Sequence, residues 1–436
     1  MKKILTTLVL LVLLSVPALA QGWSALGNFP NDTILKKGSG LHGIAVDPYG
    51  RVWVQLFGAT DTLHVTPDSI LNVRVLYIYN PDGTEAPFSP LKRLVGAGVN
   101  DNLFDMSGRG LTTDNDGNII ASFFDRVYRI DYKTGAVLGK VIPTANAALT
   151  SSAIDENGNL FTAHVVAGAG PLKMFDNTFS ALGNALDATE GFSRSFQVSR
   201  DGNTIFWAGY TNHAIYKYTR ADEFSPFVLT DTILKGFDSE SFGWNFKYNR
   251  LWVASGSLND RPNRYPDVTT YYDVATWYAY DTENDELTDS LKWVFQAGAD
   301  SAAQRPRGIA FTPSGDTAYV GCFSASTFNA VQKFVNPNPS SLREVEGVVT
   351  DYSLYQNYPN PFNPSTEIKF NIAQSGLTTL RVYDVLGREV AVLVNRELAA
   401  GPYAFTFDAK ELASGTYIYE LVSGGQRLVN KMLLLK

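Results

Sequence analysis

A short motif that returns along the chain restricts the fold of this 436-residue protein more than any other feature. In each copy an apolar strand leads into a turn rich in Asp, Asn and Gly, and a second apolar strand follows. Six copies begin at Gly43, Gly110, Ser151, Ser195, Phe242 and Gly308, with longer intervals at either end of the series than in its middle. The middle copies recur every ~40 to 50 residues, which is typical of propeller blades with several strands each. The spacing therefore predicts an all-β fold, a six-bladed β-propeller.

Each copy is followed by a third predicted strand, beginning at Leu76, Val127, Leu172, Ile215, Trp277 and Val331. The sequence Asp-Thr-Ile-Leu-Lys occurs twice, at 231–235 as the fourth strand of blade four and at 32–36 before the first repeat. The last repeat has no fourth strand of its own before Asn336. We therefore predict that residues 32–36 complete the last blade, in a propeller spanning 21–335, because a closed ring leaves no unpaired sheet edge.

The N-terminus has the pattern of a secretory signal. Lys2 and Lys3 precede an apolar run over 4–14, and Ala18-Leu19-Ala20 gives a cleavage site. We predict that residues 1–20 are a signal peptide removed after Ala20. A retained anchor helix is the alternative, although the apolar run is short for a membrane span. No later stretch is a continuous apolar run long enough for a span, so we expect no integral membrane protein.

Composition argues against two classes of protein, those built on a disulfide scaffold and those that bind nucleic acid. A single cysteine, Cys322, cannot form an internal disulfide scaffold, and its place in an apolar strand predicts a buried thiol. A net charge of −7 argues against nucleic-acid binding. Residues 21–353 carry 26 basic and 36 acidic side chains, a net of −10, whereas 354–436 carry 8 and 7, a net of +1. This asymmetry indicates two separate units.

The repeat region resembles six-bladed propellers of the NHL and YVTN type. The resemblance rests on Gly43-Ile-Ala-Val-Asp-x-x-Gly-x-x-Trp-Val54, covers residues 31–335, and concerns architecture alone. Such propellers serve as binding platforms, lactonases and lyases, so the likeness does not define a function.

The residues just before the first strands should surround the top of the central channel, where propeller loops are long. These residues are His42, Arg109, Thr150, Arg194, Ser241 and Arg307. The three arginines predict either a basic mouth that binds an anionic ligand through bidentate contacts, or ion pairs with carboxylates of neighbouring blades.

The other histidines and two insertions are further candidates on the same face. His64, His164 and His213 map to the top, but their spacing does not match a metal motif, and no metal is predicted. One insertion runs over 56–75. The second, over 256–273, carries Arg261, Arg264, Tyr265, Tyr271 and Tyr272, a mixture that suits a sugar or a peptide. A loop that packs against itself is the alternative.

The sequence contains no motif that indicates a particular reaction or cofactor. Asp114-Asn-Asp-Gly117 lacks the distal Glu of a calcium loop and predicts a hairpin turn. The calcium ligands of six-bladed lactonases have no counterpart here beyond Glu190, so that resemblance fails. Nucleophile elbows, phosphate loops and HExxH are absent from the sequence. We predict no catalytic residue and no cofactor.

The C-terminal part of the chain has a different character. Residues 336–353 are predicted to be a linker, and several short alternating strands in 354–436 predict a small β-sandwich. This unit resembles the type A C-terminal sorting domain of the bacterial type IX secretion system, with an Ig-like fold. The resemblance rests on Val382-Tyr-Asp-Val-Leu-Gly-Arg388, Leu412-Ala-Ser-Gly-Thr-Tyr417, Lys431-Met-Leu-Leu-Leu-Lys436 and the sorting motif Asn357, Tyr358, Pro359, Asn360, Pro361, Phe362, Asn363 and Pro364.

The resemblance implies recognition by the type IX outer-membrane translocon and its sorting machinery, and a protein secreted or held at the cell surface after passage through the periplasm. An Ig-like adhesion module is the alternative for this unit. For the propeller we expect binding of an extracellular glycan, peptide or other anionic molecule on the top face. The alternatives are an extracellular hydrolase or lyase that uses top-face His and Arg residues, and a purely structural surface protein.

Overall fold

The computed structural model describes residues 22–436 apart from 31–34, 36–39, 104–105, 166–169, 257–264, 266–267, 269–271, 297–303, 324–328, 337–341, 345–350, 399 and 411. The described residues form strands and turns, with a short 3-10 helix at Tyr210–Asn212 and no α-helix. Among them, no helix is long and apolar enough to cross a membrane. The all-β prediction is confirmed. The chain divides into two compact units, 1–335 and 336–436.

Six antiparallel sheets of three or four strands, numbered 1 to 6 along the chain, make up most of the described part of the first unit, beside one small two-stranded sheet. Their first strands are β2 (Leu41–Val46), β7 (Gly108–Thr113), β11 (Ala153–Ile154), β15 (Phe196–Val198), β19 (Ser241–Asn245) and β23 (Arg305–Phe311). Their second strands are β3 (Val52–Thr66), β8 (Ile119–Phe123), β12 (Leu160–Thr162), β16 (Thr204–Gly209), β20 (Arg250–Ala254) and β24 (Thr317–Phe323). Their third strands are β4 (Ser69–Tyr79), β9 (Arg126–Ile130), β13 (Leu172–Phe175), β17 (Ala214–Thr219), β21 (Thr276–Asp281) and β25 (Val331–Val335).

Sheets 2 to 6 have a fourth strand. In chain order of the sheets these are β10 (Val137–Val141), β14 (Ala181–Leu186), β18 (Val228–Ile233), β22 (Glu286–Lys292) and β1 (Ser24–Asn28). In the described part of sheet 1 the fourth position is held by bridges from Glu85 to Tyr79 and from Leu91 to Leu76. The predicted insertion over 56–75 is a continuation of the β3–β4 hairpin, and β5 (Arg93–Gly96) pairs with β6 (Val99–Asn102).

The strand that closes sheet 6 differs from the prediction. Ser24–Asn28 pairs antiparallel with β25, from Ser24 opposite Val335 to Asn28 opposite Gln332. The other edge of β25 pairs with β24, so no edge is left for residues 32–36. Of the predicted segment, only Leu35 is among the described residues, and it is buried. The prediction from the repeated pentapeptide is therefore wrong, and the strand that closes sheet 6 lies nearer to the N-terminus.

Turn chemistry explains why each repeat makes a hairpin. Asp47 accepts the backbone N–H groups of Tyr49 and Arg51, and Gly50 adopts a φ of 76°. The predicted hairpin turn at 114–117 has the same form, because Asp114 accepts the Asn118 N–H and Gly117 has a φ of 86°. A short carboxylate that bonds its own turn, followed by a glycine at positive φ, favours this local structure.

The first strands contact one another in order around a closed circuit, β2–β7–β11–β15–β19–β23 and back to β2. They approach so closely that a Cβ on Gly43 would lie 2.7 Å from the Leu111 nitrogen. The apolar core lies between neighbouring sheets, as where Trp252 and Trp277 of sheet 5 meet Val320 of sheet 6. All six first strands begin at the same end of the central channel, which we call the mouth, and end at the other, the far end.

The second unit contains two four-stranded antiparallel sheets. One has the order β26 (Leu342–Glu344), β31 (Gly401–Asp408), β28 (Ser365–Ile372), β27 (Ser353–Leu354). The other has the order β30 (Glu389–Leu398), β29 (Gly376–Asp384), β32 (Gly415–Ser423), β33 (Gln426–Leu434). Ile368, Phe405, Leu380 and Tyr419 form part of its core, from both sheets. Residues 342–344 of the predicted linker are a strand of this unit.

Candidate functional site

The mouth of the channel brings together most of the residues that sequence placed there. His42, Arg109, Thr150, Arg194 and Arg307 line one cavity of about 220 Å³, the mouth cavity. Its remaining lining is apolar, with the rings of Phe57, Phe192 and Phe323 and the side chains of Leu149 and Val165. Ser241 lies deeper, where its Oγ accepts the Gly308 N–H at 2.8 Å. Four potentially cationic side chains therefore meet in a small space with aromatic walls.

Glu240 is the carboxylate that pairs with these arginines in the described part of the chain. Its Oε2 lies 3.4 Å from Arg194 Nε and 3.2 Å from an Arg307 terminal nitrogen, and the residue is 1% exposed. Sequence analysis missed it because it chose Ser241, the next residue, as the position before the first strand of sheet 5. An acidic residue beside that position was the available signal.

The positive charge of the three arginines at the mouth is greater than the negative charge of Glu240. Within the described residues, Arg109 makes no ion pair, so three guanidiniums face one carboxylate. Arg194 and Arg307 thus form the ion pairs that the second alternative predicts, with one shared carboxylate. Arg109 forms no such pair in the described part of the chain.

Several guanidinium N–H groups at the mouth are buried without a hydrogen-bond acceptor in the described structure. They are Nε of Arg109, Arg194 and Arg307 and the terminal nitrogen of Arg307 that lies near Glu240 but not in hydrogen-bond geometry with it. Each guanidinium carbon also lies over an aromatic ring, at 5.3 Å from the ring centre for Arg307 and Phe323, 5.8 Å for Arg109 and Phe124 and 5.0 Å for Arg194 and Tyr210. A cation–π contact uses none of the N–H donors in a hydrogen bond, so they stay available to another partner.

Burial lowers the pKa of two arginines at the mouth, that of Arg307 to about 10 and that of Arg109 by a smaller amount. Outside the mouth cavity, burial, followed by the nearby charge of Glu240, raises the pKa of Asp238 to about 7. Both directions mean that the folded protein disfavours charge in this region beyond what its partners compensate.

His42 is held as a neutral imidazole. Burial first, and then the charge of Arg307, keep the pKa of its side chain well below the usual value. Its Nδ1 lies 2.7 Å from the Gly108 carbonyl oxygen, and its ring packs against Phe57 at 4.7 Å and Phe323 at 5.2 Å. Since a carbonyl only accepts, Nδ1 carries the proton and Nε2 keeps its lone pair.

The other predicted site residues are not part of the mouth cavity. His64 lies in the β3–β4 hairpin opposite Ile70, His164 bridges to Leu149, and His213 follows the 3-10 helix. Tyr272 packs its ring against Phe237 at 4.8 Å, and Lys235 lies over Tyr265 at 5.9 Å. Arg261, Arg264 and Tyr271 lie outside the described residues. The described part of this insertion thus includes a tyrosine packed on the protein itself.

No metal site is evident in the described residues, because no group of three or more His, Cys, Asp or Glu side chains there is arranged to hold an ion. Cys322 is a free, buried thiol in β24, and burial raises its pKa well above the usual value.

The sorting motif of the second unit forms a loop with two buried anchors. Asn357 is buried and donates to Thr366 Oγ1 at 2.9 Å, while its N–H donates to the Tyr419 hydroxyl at 2.9 Å. Phe362 lies in the core. The other six motif residues are exposed, including Tyr358, which is 81% exposed. The loop therefore presents a fixed polar and aromatic surface.

Comparison with known families identifies this second unit. Residues 356–435 match the family described as the secretion system C-terminal sorting domain. The chain thus carries a sorting domain of the type IX secretion system, which implies interaction with the secretion machinery and export to the cell surface or beyond. A search of curated proteins found no match.

Solved structures give low-scoring matches. A Bacteroides caccae protein of unknown function is 11% identical with a TM-score of 0.39, over 58% of this chain and 80% of that chain. A luciferin-regenerating enzyme is 12% identical with a TM-score of 0.42, over 70% and 95%. Hydrazine synthase of Kuenenia stuttgartiensis is 11% identical with a TM-score of 0.42, over 68% and 77%. Scores at this level assign no function to this chain.

Proposed function

We propose that the chain is a six-bladed β-propeller exported through the type IX secretion system by a type A sorting domain of Ig-like fold, and that its mouth cavity binds an anionic group of an extracellular ligand. Six sheets whose first strands meet in a closed circuit support the blade number. Two sheets packed around one core support the Ig-like assignment. The signal peptide and the passage through the periplasm remain predictions from the sequence.

The observation that carries the binding proposal is the unbalanced arginine set. Arg307 is 6% exposed, yet its Nε has no hydrogen-bond acceptor among the described residues, and Arg109 has neither an acceptor for its Nε nor a carboxylate partner there. A buried donor without an acceptor costs free energy, and more so when it is charged. An anion in the cavity would supply acceptors to both side chains.

The size of the mouth cavity limits which ligand groups can enter it. A volume of about 220 Å³ is below the ~300–1,000 Å³ of sites that enclose a whole drug-sized molecule. The cavity therefore suits one carboxylate or sulfate of a larger glycan or peptide, with the aromatic walls against its carbon skeleton. Planar carboxylates in addition match the bidentate geometry of guanidinium groups.

Calorimetric titration of the mature protein tests this proposal. Acetate, phosphate and D-glucuronate are the anions, and D-glucose is the uncharged control for glucuronate. We expect at least one anion to bind, and Arg109→Gln to weaken its binding about tenfold or more, the range of one charged hydrogen bond. Equal binding of glucose and glucuronate, or no binding of any anion, would contradict the proposal.

His42 supports an enzymatic alternative. A neutral imidazole with a free Nε2 lone pair beside Arg109 and Arg307 combines a proton acceptor with cations that stabilise a developing negative charge. A hydrolase or lyase would use this arrangement, and turnover of a carboxylate-bearing substrate that disappears in His42→Gln would favour it over binding alone.

A further inference from the structure

The far end of the channel holds a second, larger cavity. Below the mouth cavity the channel narrows to a space of about 40 Å³, where Ile44, Leu111, Gln197, Phe242 and Ile309 from five first strands form one layer. Beyond this layer it widens into a cavity of about 540 Å³, which we call the far-end chamber. This volume falls within the ~300–1,000 Å³ of small-molecule sites.

The walls of the far-end chamber combine an apolar and aromatic part with polar and charged side chains. The same layer is its inner wall, and Trp244 and Phe246 line it near the end of β19. Their rings are stacked with centroids 6.0 Å apart at an interplanar angle of 18°, and Phe246 is 50% exposed. Trp244 Nε1 donates to the Val198 carbonyl oxygen at 3.0 Å, so its ring is fixed. Stacked rings held in this way suit contact with another flat ring.

Three of the four carboxylates that line the chamber are engaged by the protein itself. Asp114 pairs with Arg129 at 3.1 Å, Glu156 pairs with Arg200 at 3.4 Å, and Asp155 accepts the N–H groups of its own turn. Transfer of a charged ligand from water into the chamber would cost free energy, because the ligand would not meet a full counter-charge there. The surroundings therefore favour an uncharged occupant.

Gln197 supplies a polar contact within the apolar layer. The residue is 8% exposed and lines both the narrow space and the far-end chamber. Its amide has no hydrogen-bond partner within the described part of the chain, in contrast to Gln55, whose amide donates to the Ser122 carbonyl oxygen. An amide that lines the cavity offers two donors and an acceptor, and a ligand hydroxyl matches them.

We propose that the far-end chamber is a second binding site, for one uncharged aromatic molecule that bears a hydroxyl or amide group. Its ring packs among Ile309, Phe242 and Trp244, and its polar group bonds the Gln197 amide. This site is independent of the anionic site at the mouth, since the narrow layer separates the two cavities.

Titration of the mature full-length protein with 2-naphthol at pH 7 tests the second site, with naphthalene-2-sulfonate as the charged counterpart of the same ring. Naphthol fluorescence and calorimetry report binding. We expect one naphthol site, with the sulfonate binding at least tenfold more weakly. Gln197→Leu should weaken naphthol binding about tenfold, since it removes the amide and keeps the size. Leu111→Trp should also weaken it, because the larger side chain takes up part of the chamber beside Gln197.

Two control variants make the result decisive. Arg109→Gln changes the mouth alone and should leave naphthol affinity within about twofold, so failure of the anion proposal is distinguishable from failure of this one. Phe224→Ala removes an aromatic ring that is 89% exposed and should also have no effect. If Leu111→Trp does not fold, Gln197→Leu decides. Absence of naphthol binding, equal binding of the sulfonate, or naphthol binding unaffected by Gln197→Leu would overturn the proposal.

Discussion

At the scale of single residues, Glu240 is the buried carboxylate that two arginines of the mouth share. It is buried and lies within ion-pair distance of both Arg194 and Arg307. Removing one partner of a buried ion pair costs about 3–5 kcal/mol, because the remaining charge stays buried. We expect Glu240→Gln to lower the free energy of unfolding of the first unit by about that amount, measured by urea denaturation.

Arg109→Gln is the matched control for this prediction, since it changes a mouth charge of the opposite sign that has no described ion pair. Because the Arg109 guanidinium has no described carboxylate partner, we expect this variant to leave the free energy of unfolding unchanged or to raise it, in contrast to the loss in Glu240→Gln. Equal losses in the two variants would show that the mouth does not depend on the Glu240 ion pairs.

At the scale of elements, β1 is the strand that joins the two ends of the first unit. Trp23, next to it, is 7% exposed, donates from Nε1 to Asp289 Oδ2 at 2.9 Å and meets Trp252 edge-to-face at 5.7 Å. Truncating a buried tryptophan typically costs about 3–5 kcal/mol. We expect Trp23→Ala to destabilise the first unit by this amount, measured by thermal unfolding.

Loss of β1 contacts should also expose the edge of β25, and an unpaired edge promotes association between copies. Light scattering during unfolding checks this expectation. Leu26→Ala is the control within the same strand, because Leu26 is 59% exposed and contributes little to the core. An unfolding midpoint that responds equally to both variants would argue against the closing role of Trp23.

At the scale of the whole molecule, the second compact unit is the sorting domain, and we propose ligand binding for the first. Because residues 356–435 are the sorting domain, a chain that lacks residues 354–436 should fold its first unit but stay in the periplasm. Cell fractionation of a bacterium with a type IX system, followed by immunoblotting, measures this. Residues 354–436 fused to an unrelated periplasmic protein should bring that protein to the surface. Undiminished export of the deletion variant would contradict the sorting role.

Local interactions made much of the fold predictable. Asp47 and Gly50 form a turn between neighbouring residues, and the adjoining strands pair across it. Because all these contacts are local, the sequence pattern predicts the hairpin. The end of the channel at which His42, Arg109, Arg194 and Arg307 meet also followed from the repeat, because every first strand begins at the same end. In the second unit the motif from Asn357 to Pro364 was one of four that indicated the sorting domain, which the family match confirms.

Contacts between distant parts of the chain were decided only by the tertiary structure. Two copies of one pentapeptide favoured residues 32–36 as the closing strand, yet Ser24 pairs with Val335, because pairing between opposite ends of the unit depends on geometry that no local pattern encodes. Glu240 and Arg307 meet from neighbouring sheets, and the Gln197 amide borders a chamber to which the other first strands contribute. Sequence thus determined which strands and turns form, while the packing of six sheets determined which charges are paired and which polar groups are left for a ligand.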